Sequence, residues 1–121
     1  WLVLLPEAPC IKGYDSTVPD IMRACAGAFG VSVEALQSAQ RRRPLVTYRQ
    51  AAVAIVCRLT DKSTPEIGRH FGGRDHSTVI HAKRRMASHM AAVGSQLSGS
   101  ATPFEWAQAM RRRLEWLTSA R

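Results

Sequence analysis

Within seven residues, Asp75, His76, Ser77, Thr78 and His81 supply a carboxylate, two imidazoles and two hydroxyls. Ser77 and His81 stand four apart with Asp75 close by, which are the residue types of a nucleophilic triad. A lone Ser/His pair on a helix, with no oxyanion pocket, is a poor hydrolytic centre, so an enzyme is not expected. Metal chemistry fares no better. The four histidines are His70, His76, His81 and His89, and His76 and His81, five apart, splay on a helix instead of converging. The three cysteines, Cys10, Cys25 and Cys57, are odd in number and match neither a disulfide framework nor a CxxC knuckle. No metal and no cofactor is implied; reduced thiols in a cytosolic protein fit best. What remains is a compact set of small hydrogen-bonding side chains, suited to reading polar edges in a groove.

A helix must present that set. Asp75 is a good N-cap for a long helix from His76 to about Val93. On a helical wheel, Val79, Ala82, Met86, Met90 and Val93 share one side, while His76, Ser77, His81 and Arg84 fall opposite, with Ile80 at the margin. Before it, Ser63-Thr64-Pro65-Glu66 reads as a capping box with Pro in the first turn, opening a shorter helix that carries Ile67 and Phe71 and ends at Gly72-Gly73. A short helix, a glycine turn and a longer helix describe a helix-turn-helix.

The rest of the chain reads as support. Val18, Ile21, Met22, Cys25, Ala28 and Phe29 follow helical spacing behind N-cap candidates Asp15, Ser16 and Thr17, and Gly30 stops the run. Ser32 caps a short helix through Leu36. Gln40 to Pro44 is a basic connector. Thr47-Tyr48-Arg49-Gln50 fits another capping box, and the almost wholly apolar Ala51 to Leu59 behind it should be the central buried helix. Thr102-Pro103-Phe104-Glu105 opens a last amphipathic helix with Phe104, Ala107, Met110, Leu114 and Leu117 inward. No strand alternation or internal repeat is visible. The expected fold is all-α, with residues 1–14 an irregular lead-in, 15–94 a helix-turn-helix domain, 95–101 a Gly/Ser-rich linker and 102–121 an added C-terminal helix.

Charge narrows the partner. The 121 residues hold 17 Lys plus Arg against 9 Asp plus Glu, a net +8, and 45% hydrophobic residues exclude a disordered basic tail. The basic side chains cluster at Arg41–Arg43, at Lys83-Arg84-Arg85 and at Arg111–Arg113. A folded domain this basic attracts polyanions, nucleic acid before an anionic membrane surface. No stretch is long enough to span a membrane, and Trp1 to Leu5, closed by Pro6, lacks the basic lead-in of a secretory signal.

The run Pro65-Glu66-Ile67-Gly68, then Phe71-Gly72-Gly73-Arg74-Asp75-His76-Ser77-Thr78-Val79 and His81-Ala82, resembles the signature of the C-terminal DNA-binding domain of bacterial replication initiators of the DnaA type. The likeness covers residues 48–86 closely and 18–47 more loosely. It implies a domain IV-like, Trp repressor-like helical bundle that binds double-stranded DNA at DnaA-box-like sites, in control of replication initiation or transcription, in the cytoplasm on the nucleoid. It implies base contacts from Asp75, His76, Ser77, Thr78 and His81, and minor-groove insertion of Arg41. It implies phosphate contacts from Arg49, Gln50 and Pro65 and places Arg74 near DNA; with the charge clusters, the expected phosphate contacts are Arg42, Arg43, Arg49, Gln50, Lys62, Pro65, Arg74 and Arg84. Two positions depart from the pattern: Ser77 replaces the commoner Thr, and Cys57 falls where some members carry a Lys, with Arg58 and Lys62 near to compensate. No GxxxxGK[ST] phosphate loop occurs in these residues, so the expectation is a stand-alone relative of that domain without the ATPase.

Two readings of the C-terminal helix stand. Trp106 packs on the Trp1–Leu5 segment with Arg111–Arg113 solvated, or Trp106 and Trp116 form an aromatic patch for a homodimer or protein partner. The second feeds an alternative function: a protein-interaction adaptor that keeps the fold but not the base reading.

Overall fold

The computed structural model of the chain describes residues 17–40, 44–97, 99 and 101–119, the side chains of 117–119 excepted. Arg41, Arg42, Arg43, the lead-in with Trp1–Leu5, and the cap candidates Asp15 and Ser16 lie outside them. The described residues form six helices and no strand: α1 (Val18–Phe29), α2 (Val33–Gln37), α3 (Leu45–Leu59), α4 (Thr64–His70), α5 (His76–Gly94) and α6 (Pro103–Ser119).

The centre is α3. Every residue from Ala51 to Val56 is buried, so no face of that stretch meets water and the other helices must cover it. All five other described helices pack on it, α5 most extensively. α1 turns Val18, Ile21, Met22, Cys25 and Phe29 inward, and the Phe29 ring stacks on Tyr48 of α3 at 4.7 Å.

Local signals set most boundaries. Thr17 accepts from the Asp20 N–H at 3.3 Å and the Asp20 carboxylate accepts from the Thr17 N–H at 3.4 Å, a complete capping box. Gly30, at φ 74°, closes α1 in the left-handed region. Ser32 caps α2 and Ser63 caps α4. Thr102 and Glu105 exchange hydrogen bonds of 2.8 and 3.2 Å at the start of α6. α3 begins earlier than its capping-box pattern suggests. Its first residue is Leu45, Pro44 holds the cap position with no side-chain bond, and Thr47 lies inside the helix. Burying Leu45 and Tyr48 in the core draws the first turn into the helix and overrides the Thr47-Gln50 pattern.

α6 is not an appendage. It packs along α1 and also meets α3 and α5, contributing Trp106, Ala107, Met110 and Leu114 to the shared core. The expected inward face is rotated. Phe104 is 42% exposed and Trp106 only 5%. The buried arc also holds Pro103, and Phe104 sits about 100° beyond it, outside the arc. Trp106 lies against Gly94, where an added Cβ would come within 3.2 Å of the indole, and the Arg58 guanidinium lies 5.8 Å from its ring centroid. The Arg111–Arg113 run is divided as well. Arg111 donates to the Ala28 carbonyl at 2.7 Å, capping α1, and to Glu115 at 2.8 Å, while Arg113 donates from Nε to His89 Nδ1 at 2.9 Å.

Met110→Ala should therefore cost about 2–5 kcal/mol of stability, and Phe104→Ala, whose ring is already 42% exposed, distinctly less, by urea denaturation; an equal or larger loss at Phe104 would refute this placement of α6. His89 supplies a pH signature. Desolvation, then the Arg113 charge, hold its pKa below the ordinary value. The folded state thus binds a proton less readily than the unfolded chain, so stability falls as pH drops below about 6.5. A His89→Gln variant should show a flatter melting-temperature profile between neutral and mildly acidic pH, and an unchanged slope would contradict the assignment.

Candidate nucleic-acid interface

The turn between α4 and α5 depends on glycine at two points. Gly72 and Gly73 take φ of 85° and 76°, a region that costs a residue with a Cβ about 1–2 kcal/mol. At Gly72 a Cβ would also fall 2.2 Å from the Gln37 carbonyl oxygen, so the turn lies directly against the end of α2. Gly68 permits a similar approach inside the hairpin, where the Arg74 N–H reaches the Gly68 carbonyl at 2.8 Å.

From this turn α5 emerges under an Asp75 cap. The Asp75 carboxylate accepts from the Ser77 N–H at 3.4 Å and from the Ser77 hydroxyl. Those two bonds, the hydroxyl's first, hold its pKa below the usual carboxylate range, so it is ionised at neutral pH. His76 Nδ1 lies 3.4 Å from the other carboxylate oxygen. Within the triad-like grouping, the Ser77 hydroxyl donates to Asp75 as part of the helix cap. Among the described residues, no three His, Cys, Asp or Glu side chains gather as a metal site.

Asp75, His76, Ser77, Thr78, His81 and Arg84 are all exposed, while Val79, Ala82, Met86 and Val93 anchor the opposite side of α5 in the core, with Met90 half-buried. One helix thus presents these polar side chains together on a base fixed in the core. Pro65 and Lys62 are exposed at the start of α4, Lys62 lying 3.9 Å from Glu66, and Gln50 is half-buried on α3.

Two arginines expected at phosphate point elsewhere. Arg49 is only 7% exposed. Its Nε donates to the Leu36 carbonyl at 3.0 Å and its Nη2 to the Ala35 carbonyl at 3.2 Å. Arg74 donates to the carbonyls of Phe71, Ser38 and, at 3.4 Å, Gln37. Desolvation lowers the pKa of both guanidiniums, with the Arg74 charge a second cause at Arg49. Sequence reasoning missed Gln37 altogether. Its Nε2 donates to the His70 carbonyl at 2.9 Å, across 33 positions of chain, and no local pattern announces such a bond.

The model of the bacterial DnaA protein helix-turn-helix matches residues 18–86, which contain the capped α5 start, the glycine turn and the α2 end described above. The chain belongs to that family. Among curated proteins it is similar to chromosomal replication initiator proteins DnaA. It is 47% identical to that of Anaplasma marginale over 74 residues, 61% of this chain and 16% of the relative. It is 47% identical to that of Caulobacter vibrioides over 70 residues, 58% of this chain and 14% of the relative. The matching stretch is thus a small part of either initiator. As a member of the DnaA helix-turn-helix family the chain is a double-stranded-DNA-binding protein, and the elements of its described residues are all helices. No described helix is long and apolar enough to cross a membrane.

The close approach at Gly72 gives a direct check. Gly72→Ala should cost about 3 kcal/mol or more, strain plus clash, whereas Gly73→Ala, with nothing within 4 Å of its added Cβ, should cost only the strain of about 1–2 kcal/mol. Equal losses in chemical denaturation would remove the argument for contact between the turn and α2.

Proposed function

We propose that this domain reads DnaA-box-like sequences in duplex DNA, in control of replication initiation or transcription, on the nucleoid in the cytoplasm. The observation that carries the reading is the first turn of α5: Asp75, His76, Ser77 and Thr78 are exposed together on a helix whose other face is buried. A helix so presented fits the major groove. The ionised Asp75 accepts from a cytosine amino group, and His76 faces a purine or a thymine methyl. Ser77, Thr78 and His81 complete the base-reading set, and Arg41 enters the adjacent minor groove. Arg42, Arg43, Gln50, Lys62, Pro65 and Arg84 meet the phosphates and supply most of the affinity and its salt dependence. Arg49 and Arg74 do not belong to that set, because their donors are turned to backbone carbonyls.

A second reading is supported by the 65% exposure of Trp116 and the 42% exposure of Phe104: an adaptor that offers α6 to a protein partner or a second copy and has lost base reading.

Fluorescence anisotropy with a labelled duplex holding a DnaA-type box, against a scrambled duplex across a salt series, separates the two. Preference for the box should persist as salt rises, and His76→Ala should cost about 1–3 kcal/mol on the box alone. Binding that is equal on both duplexes and indifferent to His76→Ala and Arg41→Ala would replace this reading with the adaptor.

A further inference from the structure

The end of α2 is closed by two charged side chains that come from different parts of the chain. A helix terminus leaves its last carbonyls without intrahelical partners. Here Ala35 and Leu36 are taken by Arg49 of α3, and Gln37 and Ser38 by Arg74 of the α4–α5 turn. Gln37 returns a bond to the turn through His70, and Gly72 lies too near the Gln37 carbonyl for any Cβ. The contact ties together two points that a duplex would meet separately. One is the exit of α2 at Ser38–Gln40, which leads to the basic connector. The other is Asp75, where the reading helix begins, directly after Arg74 in sequence.

We infer that Arg74, with Gln37, is a positioning clasp for base reading: it fixes the α2 exit against the start of α5, so that the phosphate-binding and base-reading parts meet the duplex in one register. Arg74 acts through hydrogen-bond geometry and not through charge delivered to DNA. The inference rests on the DNA-reading proposal above. It separates from that proposal because it concerns a side chain whose donors are turned to backbone carbonyls.

A planar guanidinium reaches two carbonyls at once; a lysine ammonium keeps the charge and loses that fork. The test measures affinity for box and scrambled duplexes across a salt series, for Arg74→Lys, Gln37→Ala and Arg84→Ala beside the parent chain, at a temperature where circular dichroism shows each variant folded. The clasp predicts that Arg74→Lys loses about tenfold on the box, close to nothing on the scrambled duplex, and leaves the salt slope unchanged. Gln37→Ala, uncharged and outside the proposed contact set, should lose box preference about two- to threefold, again at constant slope. Arg84→Ala should weaken both duplexes alike and lower the slope by about one. If Arg74→Lys fails to fold, Gln37→Ala decides alone.

An Arg74→Lys variant that keeps full box preference, or loses affinity equally on both duplexes, overturns the clasp. So does a Gln37→Ala variant indistinguishable from the parent. If the parent itself shows no box preference, the base-reading proposal falls and the clasp falls with it. If the parent discriminates and the variants do not differ from it, only the clasp fails.

Discussion

The structure depends on the desolvation of one helix. Six consecutive residues of α3, Ala51 to Val56, are buried on every side, which an isolated helix in water cannot achieve. The other five described helices are arranged as the cover that this stretch requires, and burial of apolar surface is the main force driving them together. Helix α5 is part of that cover. Its back face, Val79 to Val93, is held on the α3 core, which is why the first turns of its front face can carry Asp75, His76, Ser77, Thr78 and His81 at no cost to the fold.

Around that centre, boundaries are written in short-range chemistry and are legible from sequence where the partner lies within three residues. Thr17, Ser32, Ser63, Asp75 and Thr102 cap helices through N–H groups two or three positions on. The polar and apolar faces of α5 follow from helical period alone. The same local logic fails at Thr47, where the burial of Leu45 and Tyr48 outweighs a plausible cap, and at Phe104 and Trp106, where the orientation of α6 is set by what α1 and α3 offer it. Amphipathicity shows that a helix has an inner arc but fixes its centre only to within about one residue, or 100°.

The candidate site divides along the same line. Its exposed members were legible as polar types at helical spacing. The inward turn of Arg49 and Arg74 was not, since a guanidinium's type says nothing about whether its partner is a phosphate or a carbonyl 13 to 37 residues away. Both are pulled inward by the orphaned carbonyls at the end of α2, which carry the negative end of the helix dipole. The net charge of +8 therefore overstates the cation display available at the surface, because two of its guanidiniums are turned to the protein's own carbonyls.

The packing of α6 on α1 has a wider consequence. The stretch that marks the family ends at Met86, yet Trp106, Ala107, Met110 and Leu114 fill the same core as the helices before it, and Arg111 reaches back to the end of α1. What sequence likeness recognises and what shares one core are units of different extent. The second closes like a clamp, its first and last described helices side by side, so that loosening either one uncovers the core they share.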